Sequence, residues 1–315
     1  MVKSVLIIGQ YPDPHIDKVL PYLTDGEVRP LVFQRHSKKD QLSLEFSHLL
    51  QPTLKINKSI RNLVSVWWRL KPYMPAEFSG GLSNITENFI VKEWGEVLKS
   101  LPYFTRENIK WINNIEKHYK TSYKAFQLIT AQKLGLTIPP TLISNSPADI
   151  KRFFDRHSKV IYKTLSSFIM PPKYVIFTTL LNKDDILKSG NELIIAPGIY
   201  QAYCEKEYEL RVTVVENKVF TARINSQQQK ETEVDWRKNQ FLEIYTPWEL
   251  TKDTQRKLLK FHTTCGLIYA AYDFIVTDKG EEIFLECNPG GQWLWVEEAT
   301  GFPISEALAR SLIHA

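Results

Sequence analysis

The chain opens on an unbroken apolar run, KSVLIIG at residues 3–9. Apolar through its centre and rich in β-branched positions, it predicts a strand of a parallel sheet covered on both faces. Residues 14–24 predict a helix and 28–35 (VRPLVFQR) a second strand, and a β-α-β start argues for a small α/β domain. Phe89, Trp94 and Leu98 fall on one predicted helical face within 87–98. Residues 122–135 (SYKAFQLITAQKLG) predict an amphipathic helix, with Ser122 as N-cap and Gly135 where a glycine stops a helix. TIPPTLIS follows as an extended segment, then a helix over 147–157, a strand over 159–165 (KVIYKTL), a loop, a strand YVIFTTLL and a short helix KDDILKSG. The last third alternates with period two. Residues 208–215 and 218–225 predict a hairpin around Glu216-Asn217, and 268–276 and 281–288 another around Lys279-Gly280, with a helix over 251–264 between them. A closing helix from Val296 to Ile313 breaks near Gly301-Phe302-Pro303. SVWWRLKPYMP (65–75), with two Trp and two Pro, fits neither period.

Composition narrows the classes. With 315 residues, 43% hydrophobic and 24% charged, the chain reads as a soluble protein of two or three compact units. A net charge of +5 allows an anionic ligand and does not point to nucleic acid. Cys204, Cys265 and Cys287 lack zinc spacing, so a reducing cytoplasmic location is expected. The first apolar run is too short for a signal peptide or a membrane span. No Walker loop, GxGxxG, GxSxG or HExxH occurs, and the seven histidines are dispersed.

The candidate chemistry lies in the last hairpin. A symmetric turn at Lys279-Gly280 sets Asp273 opposite Glu286, and Asn288 shares the face of Glu286 because side chains alternate. Opposed carboxylates repel unless something cationic lies between them. Oxygen ligands without Cys or His suit Mg²⁺ or Mn²⁺, with phosphate and water completing the shell. The other reading is an exposed Asp273 and a Glu286 paired with a lysine. Lys163, mid-strand among apolar neighbours, either snorkels at an edge or faces an anion, and Lys124 in the first turn of its helix has the same two readings. Arg211 on YELRVTVV is either functional or a partner of nearby Glu209. DWRKN (235–239) is a polar loop with a Trp anchor.

The ordered set of Lys124, AxxLGLTIPPT, Lys163, IYQAYCEKEYELRVTVV, DWRKN, Asp273 and Glu286-Cys-Asn288 resembles the ATP-grasp superfamily of carboxylate–amine and carboxylate–hydroxyl ligases. The resemblance covers roughly residues 116–315, and the α/β start fits the domain that usually precedes it. Within the superfamily the chain most resembles graspetide synthetases, the microviridin-type peptide macrocyclases. VWWRLKP, ELRVTVV, DWR and NPGGQWLWVEEATGFPI carry this. Ribosomal-protein glutamate ligases share the DxR-type loop, but Asn225 stands near where they carry an arginine. Ala202 stands where the hinge often has Glu, a departure that matters little if adenine is held by backbone groups.

The resemblance implies a mixed α/β ATP-grasp fold, with an N-terminal α/β domain at 1–115, a central subdomain at 116–198 and a C-terminal subdomain at 199–315. It implies backbone contacts to adenine at Gln201, Ala202 and Tyr203, and ribose contact at Glu209. Lys124 and Lys163 would meet the α and β phosphates, with Asn239 also on the nucleotide. Asp273, Glu286 and Asn288 would hold Mg²⁺. Arg211 and Arg237 would face the γ-phosphate and the acyl intermediate. The implied partner is a ribosomally made precursor peptide with leader and core, and neither nucleic acid nor membrane. A homodimer is a candidate assembly. Asp184 and Asp185 would meet the leader. The implied activity is joining Asp or Glu carboxylates to Ser or Thr hydroxyls, or to Lys amines. The alternatives are addition of glutamate or another amino acid to a protein or small molecule, and a nucleotide-binding regulatory protein.

Overall fold

The structure is a computed structural model that describes residues 2–25, 28–35, 37, 39–48, 53–57, 60, 62–70, 83–166, 169–170, 174–175, 178–228 and 245–314. The first unit comprises β1 (Lys3–Gly9), α1 (Pro14–Asp25), β2 (Val28–Gln34), β3 (Leu42–Glu45), β4 (Thr53–Ile56), β5 (Leu63–Trp68), α2 (Asn84–Ser100) and β6 (Lys110–Ile112). Strands β2-β1-β5-β6 form a parallel sheet. Both faces of β1 are covered, which is why it is apolar at successive positions. Val5 and Ile7 pack toward Ile16, Val19 and Leu23 of α1, and Leu6 and Ile8 toward Leu98 and Leu101. Residues 65–68 of the Trp-rich segment lie in β5, with Trp67 in one core and Trp68 in the other, and residues 71–75 of it lie outside the described residues. In α2, Leu98 is fully buried but Phe89 is 62% exposed, so Phe89 does not join the buried face. Trp94 is five positions beyond Phe89, about 140° round the helix from it.

The second unit comprises α3 (Ile115–Ser122), α4 (Lys124–Lys133), β7 (Thr141–Ser144), α5 (Pro147–Arg156), β8 (Val160–Lys163), β9 (Ile169–Met170), β10 (Tyr174–Val175), β11 (Thr179–Leu181), α6 (Lys183–Ser189) and β12 (Gly198–Ala202). Ser122 ends α3, its hydroxyl donating back to the His118 carbonyl at 2.9 Å, and Tyr123 takes the cap position of α4. The expected N-cap at Ser122 is therefore incorrect, because the chain turns between two helices there. Gly135 follows α4 at φ +78°, the left-handed stop expected of it. The expected strand over 174–181 is divided. Residues 174–175 pair with β9, and 179–181 pair with β8 in the antiparallel sheet β11-β8-β12-β7. Ile150, Phe153 and Phe154 of α5 and Ile186 of α6 pack against Val160 and Tyr200 on one face of that sheet.

The third unit comprises β13 (Tyr208–Val215), β14 (Lys218–Ile224), β15 (Tyr245–Trp248), α7 (Lys252–Thr264), β16 (Tyr269–Val276), β17 (Glu282–Asn288), α8 (Leu294–Thr300) and α9 (Ile304–Ile313). Its antiparallel sheet runs β15-β14-β13-β16-β17. Leu210, Val212 and Val214 pack with Leu258 and Phe261 of α7, while the alternate positions Glu209, Arg211 and Thr213 point to the opposite face. The chain then returns to the first unit. Leu308 and Leu312 of α9 join the core of Val5 and Ile7, and the Ser65 hydroxyl donates to the Leu312 carbonyl at 2.7 Å.

Candidate active site

Side chains of both antiparallel sheets line one open cleft. Ile161 and Lys163 enter from β8, Gln201 and Ala202 from β12, Glu209 from β13, Asp273 from β16 and Leu285 and Glu286 from β17. Strand alternation sorts them: Val160 and Tyr200 face the helices, whereas Ile161, Lys163 and Gln201 face the cleft.

Asp273 and Glu286 are direct cross-strand partners, as the symmetric turn predicts, but by a different route. Next to the turn Val276 pairs with Glu282, Ile275 with Ile283 and Phe274 with Phe284, a register that carried on would set Asp273 opposite Leu285. A bulge between Phe284 and Glu286 adds one residue and restores the pair. The Phe284 amide, on the open side of this edge strand, donates to the Thr137 carbonyl at 2.8 Å. The bulge also brings both Leu285 and Glu286 into the cleft wall.

Each carboxylate has a cation beside it. Lys124 Nζ lies 2.5 Å from Glu286 Oε2, and Arg211 NH1 donates to Asp273 Oδ1 at 2.8 Å. Asn288 Nδ2 sits 3.1 Å from Glu286 Oε1 and 3.5 Å from Asp273 Oδ2. Burial acts to lower the Arg211 pKa, and the Asp273 carboxylate outweighs it, so the guanidinium stays charged. The expected alternative partner for Arg211, Glu209, instead pairs with Lys206 at 2.8 Å, both nearly out of solvent. Burial raises the Glu209 carboxyl above its ordinary value against the pull of Lys206.

Among the described residues no group of three or more His, Cys, Asp or Glu suits a metal. The set here is two carboxylates and an amide, all with oxygen donors. Turning the Asn288 amide about its last bond presents its oxygen to the same space. This donor set fits a hard divalent cation that also takes phosphate and water ligands.

Lys163 donates to Gln201 Oε1 at 2.9 Å, and Gln201 Nε2 in turn donates to Thr141 Oγ1 at 2.8 Å. Lys163 thus points into the cleft instead of snorkelling away. At the exit of β12 the amides of Ala202 and Tyr203 donate to the carbonyls of Pro140 and Lys159, each at 2.9 Å. Neither amide is therefore open to a ligand in this structure. Asp184 is exposed on α6, while Asp185 is its N3 residue in a capping box with Asn182. Arg237 and Asn239 lie outside the described residues.

Two residues of the site escaped sequence reasoning. Lys206 sits inside the charged loop CEKEYEL and looks like one more solvated lysine. Gln127 is 1% exposed, and its side chain closes on the Cys287 backbone: Oε1 accepts from the amide at 2.9 Å and Nε2 donates to the carbonyl at 2.8 Å. β17 is an edge strand, so these groups have no strand partner on that side. A polar residue at a core position of an amphipathic helix was the available signal.

No protein-family model and no curated protein matches the sequence. Solved structures do match. One is a RiPP-associated ATP-grasp ligase from Chryseobacterium gregarium in complex with ADP and a leader and core peptide. It is 27% identical, with 99% of this chain and 97% of that one covered at a TM-score of 0.86. The macrocyclase MdnC from Microcystis aeruginosa, bound with precursor peptide MdnA, is 29% identical, with 99% and 100% covered at 0.85. The ATP-grasp ligase PsnB, complexed with a phosphomimetic variant of its minimal precursor, Mg and ADP, is 19% identical, with 100% and 99% covered at 0.83, a likeness of fold.

Proposed function

We propose that this chain, an ATP-grasp peptide ligase of the macrocyclase type, activates Asp or Glu side chains of a ribosomally made precursor peptide and joins them to Ser or Thr hydroxyls. The observation that carries this is the opposed Asp273 and Glu286 pair with Asn288, set in one cleft with Lys163 and flanked by Lys124 and Arg211. The nearly full-length likeness to ligases solved with precursor peptides supports it.

A carboxylate resists nucleophiles because it is anionic. Transfer of the γ-phosphoryl group of ATP to its oxygen gives an acyl phosphate and ADP. A hydroxyl oxygen then attacks the acyl carbon, the bond to phosphate breaks, and phosphate leaves as the hydroxyl proton is released. Net, the peptide loses one water per ring and ATP becomes ADP and phosphate. Lys163, oriented by Gln201, and Lys124 bind the phosphates electrostatically. Glu209 meets the ribose. Arg211, already charged and rigid, stabilises charge on the transferring phosphoryl group without reorganising. Arg237 and Asn239 are assigned to the same phosphate and nucleotide region from the sequence. Asp273, Glu286 and Asn288 would hold Mg²⁺ or Mn²⁺, which supplies charge neutralisation of the phosphates. Nucleophile and electrophile share one peptide, so ring closure gains from effective concentration.

Among the described residues no helix is long and apolar enough to cross a membrane. The proposal includes a cytoplasmic setting, supported by the free thiols of Cys204, Cys265 and Cys287.

Mass spectrometry of precursor peptide incubated with ATP and Mg²⁺ tests the reading. Each ring should lower the mass by one water with no amino acid added, and mild alkali should restore it for esters and leave it unchanged for lysine amides. A gain matching glutamate would select amino-acid addition instead. ATP hydrolysis with an unchanged peptide would overturn macrocyclisation.

A further inference from the structure

Asn288 leads into Pro289-Gly290-Gly291-Gln292, and the four carbonyls of that turn each accept from a different side chain. Asn113 Nδ2 donates to Pro289 at 2.9 Å, Arg69 NH1 to Gly290 at 3.2 Å, the Tyr269 hydroxyl to Gly291 at 2.7 Å and Arg211 NH2 to Gln292 at 3.0 Å. Arg211 and Asn288 are site residues, so the position of this turn is the position of the site. The turn has little room to move. A Cβ on Gly291 would lie 2.5 Å from Ala271 Cβ and 3.1 Å from Arg211 NH2.

The Arg69 contact belongs to a buried unit built by the first 70 residues. Arg69 Nε donates to Asp13 Oδ2 at 3.0 Å, and Asp13 is fully buried. Asp13 Oδ1 also accepts from His15 Nδ1 at 3.0 Å. With that proton on Nδ1, Nε2 must accept, and it does, from the amides of Trp293 at 3.2 Å and Leu294 at 3.3 Å. Burial acts to raise the Asp13 carboxyl, but the His15 hydrogen bond and the Arg69 charge hold it well below the usual carboxylate range. One ionised carboxylate therefore governs Gly290 on one side and Trp293 and Leu294 on the other, bracketing Gly291 and Gln292.

We propose that Asp13, His15 and Arg69 are positioning residues that set the 289–292 turn and, through it, the aim of Asn288 and Arg211. This rests on the ligase reading above. None of the three lines the cleft, so their effect passes through the turn.

Asp13→Asn tests it with almost no change in size. To keep an oxygen toward Arg69, the amide must offer its NH₂ to His15. His15 then carries its proton on Nε2, facing two N–H donors. Arg69→Lys is the companion variant, since an ammonium cannot span Asp13 and Gly290 as the guanidinium does. Amide hydrogen exchange over 288–296, thermal melting and steady-state kinetics would be measured on the full chain. The expected result is faster exchange confined to that segment, a kcat for precursor cyclisation lower by about 10- to 100-fold, and a precursor KM within about twofold. Unchanged exchange, or faster exchange at unchanged kcat, overturns the proposal. If Asp13→Asn does not fold, His15→Gln keeps an acceptor for the amides and should show the same pattern at smaller amplitude; an unchanged segment there also overturns it. If wild-type enzyme cyclises no peptide, the ligase reading fails by itself. The Mg·ATP affinity of the variants then decides, with about a tenfold loss supporting positioning and no change overturning it.

Discussion

Gln127 holds both backbone polar groups of Cys287, the residue between Glu286 and Asn288. One helical side chain thus substitutes for a neighbouring strand and keeps Glu286 and Asn288 together on the face of Asp273. Gln127→Leu removes these bonds and leaves a buried amide and carbonyl unpaired. The expected loss is about 2 to 4 kcal/mol in denaturant unfolding, with weaker Mg²⁺ activation. Wild-type stability and activation would show that β17 keeps its position unaided.

The two carboxylates differ in what their loss should do. Asp273 is paired with a buried Arg211, so Asp273→Asn should abolish Mg²⁺-dependent turnover and also cost about 3 to 5 kcal/mol by stranding the guanidinium. Glu286 and Lys124 are each about a fifth exposed, so Glu286→Gln should abolish turnover while costing about 1 kcal/mol or less. Adding Arg211→Met to Asp273→Asn should recover stability and not turnover. Wild-type turnover in either single variant removes the metal assignment.

Lys163→Ala should weaken nucleotide binding by about 10- to 100-fold, the equivalent of one charge-assisted hydrogen bond. Lys163→Arg should rescue only in part, since the planar guanidinium differs in shape. Gln201→Leu should give a smaller loss by freeing the Lys163 head from its partner. Calorimetric titration with ATP checks all three, and an unchanged affinity in Lys163→Ala returns this lysine to a packing role.

On α6, only Asp184 is a clean probe of leader binding. Asp184→Lys should raise the KM for full-length precursor and leave that for ATP unchanged. Asp185→Lys also breaks the capping box, costing about 0.5 to 2 kcal/mol. If both constants stay put in the Asp184 variant, the leader binds elsewhere.

Stability should fall on mild acidification. Burial pushes both His118 and His262 down to about 4, from 6.5. The unfolded chain therefore takes up protons first as pH falls, and stability drops between about pH 6.5 and about pH 4. His262 is 2% exposed, and its Nδ1 lies 2.7 Å from the Tyr272 hydroxyl. His262→Gln should flatten the dependence, read as denaturation midpoints at pH 7 and pH 5. An equal slope in the variant assigns the effect to other groups.

Local pattern alone determined several features of this protein. A seven-residue apolar run needs cover on both faces, and β1 has it. Strict alternation over 208–215 splits Leu210, Val212 and Val214 from Glu209, Arg211 and Thr213, and that split places the charged residues on the cleft side. The polar side chains at Asp273, Glu286, Asn288, Lys124 and Lys163 stood out in the sequence because polar and charged side chains in apolar surroundings need partners.

Only the tertiary structure decided the rest, because it depends on groups far apart in sequence. The carboxylate pair was anticipated from a symmetric turn, yet it exists because a bulge at Leu285 offsets a different turn. Register follows from pairing along the whole strand, which no single turn shows. β5 was illegible because its strand character comes from pairing with β1 and β6 and from cores on both faces, with Trp67 against Trp293. Asp13, His15 and Arg69 look like ordinary polar residues until the fold brings the 289–294 backbone to them. A buried polar backbone must find donors and acceptors wherever the chain supplies them, and here it finds them more than 200 positions away.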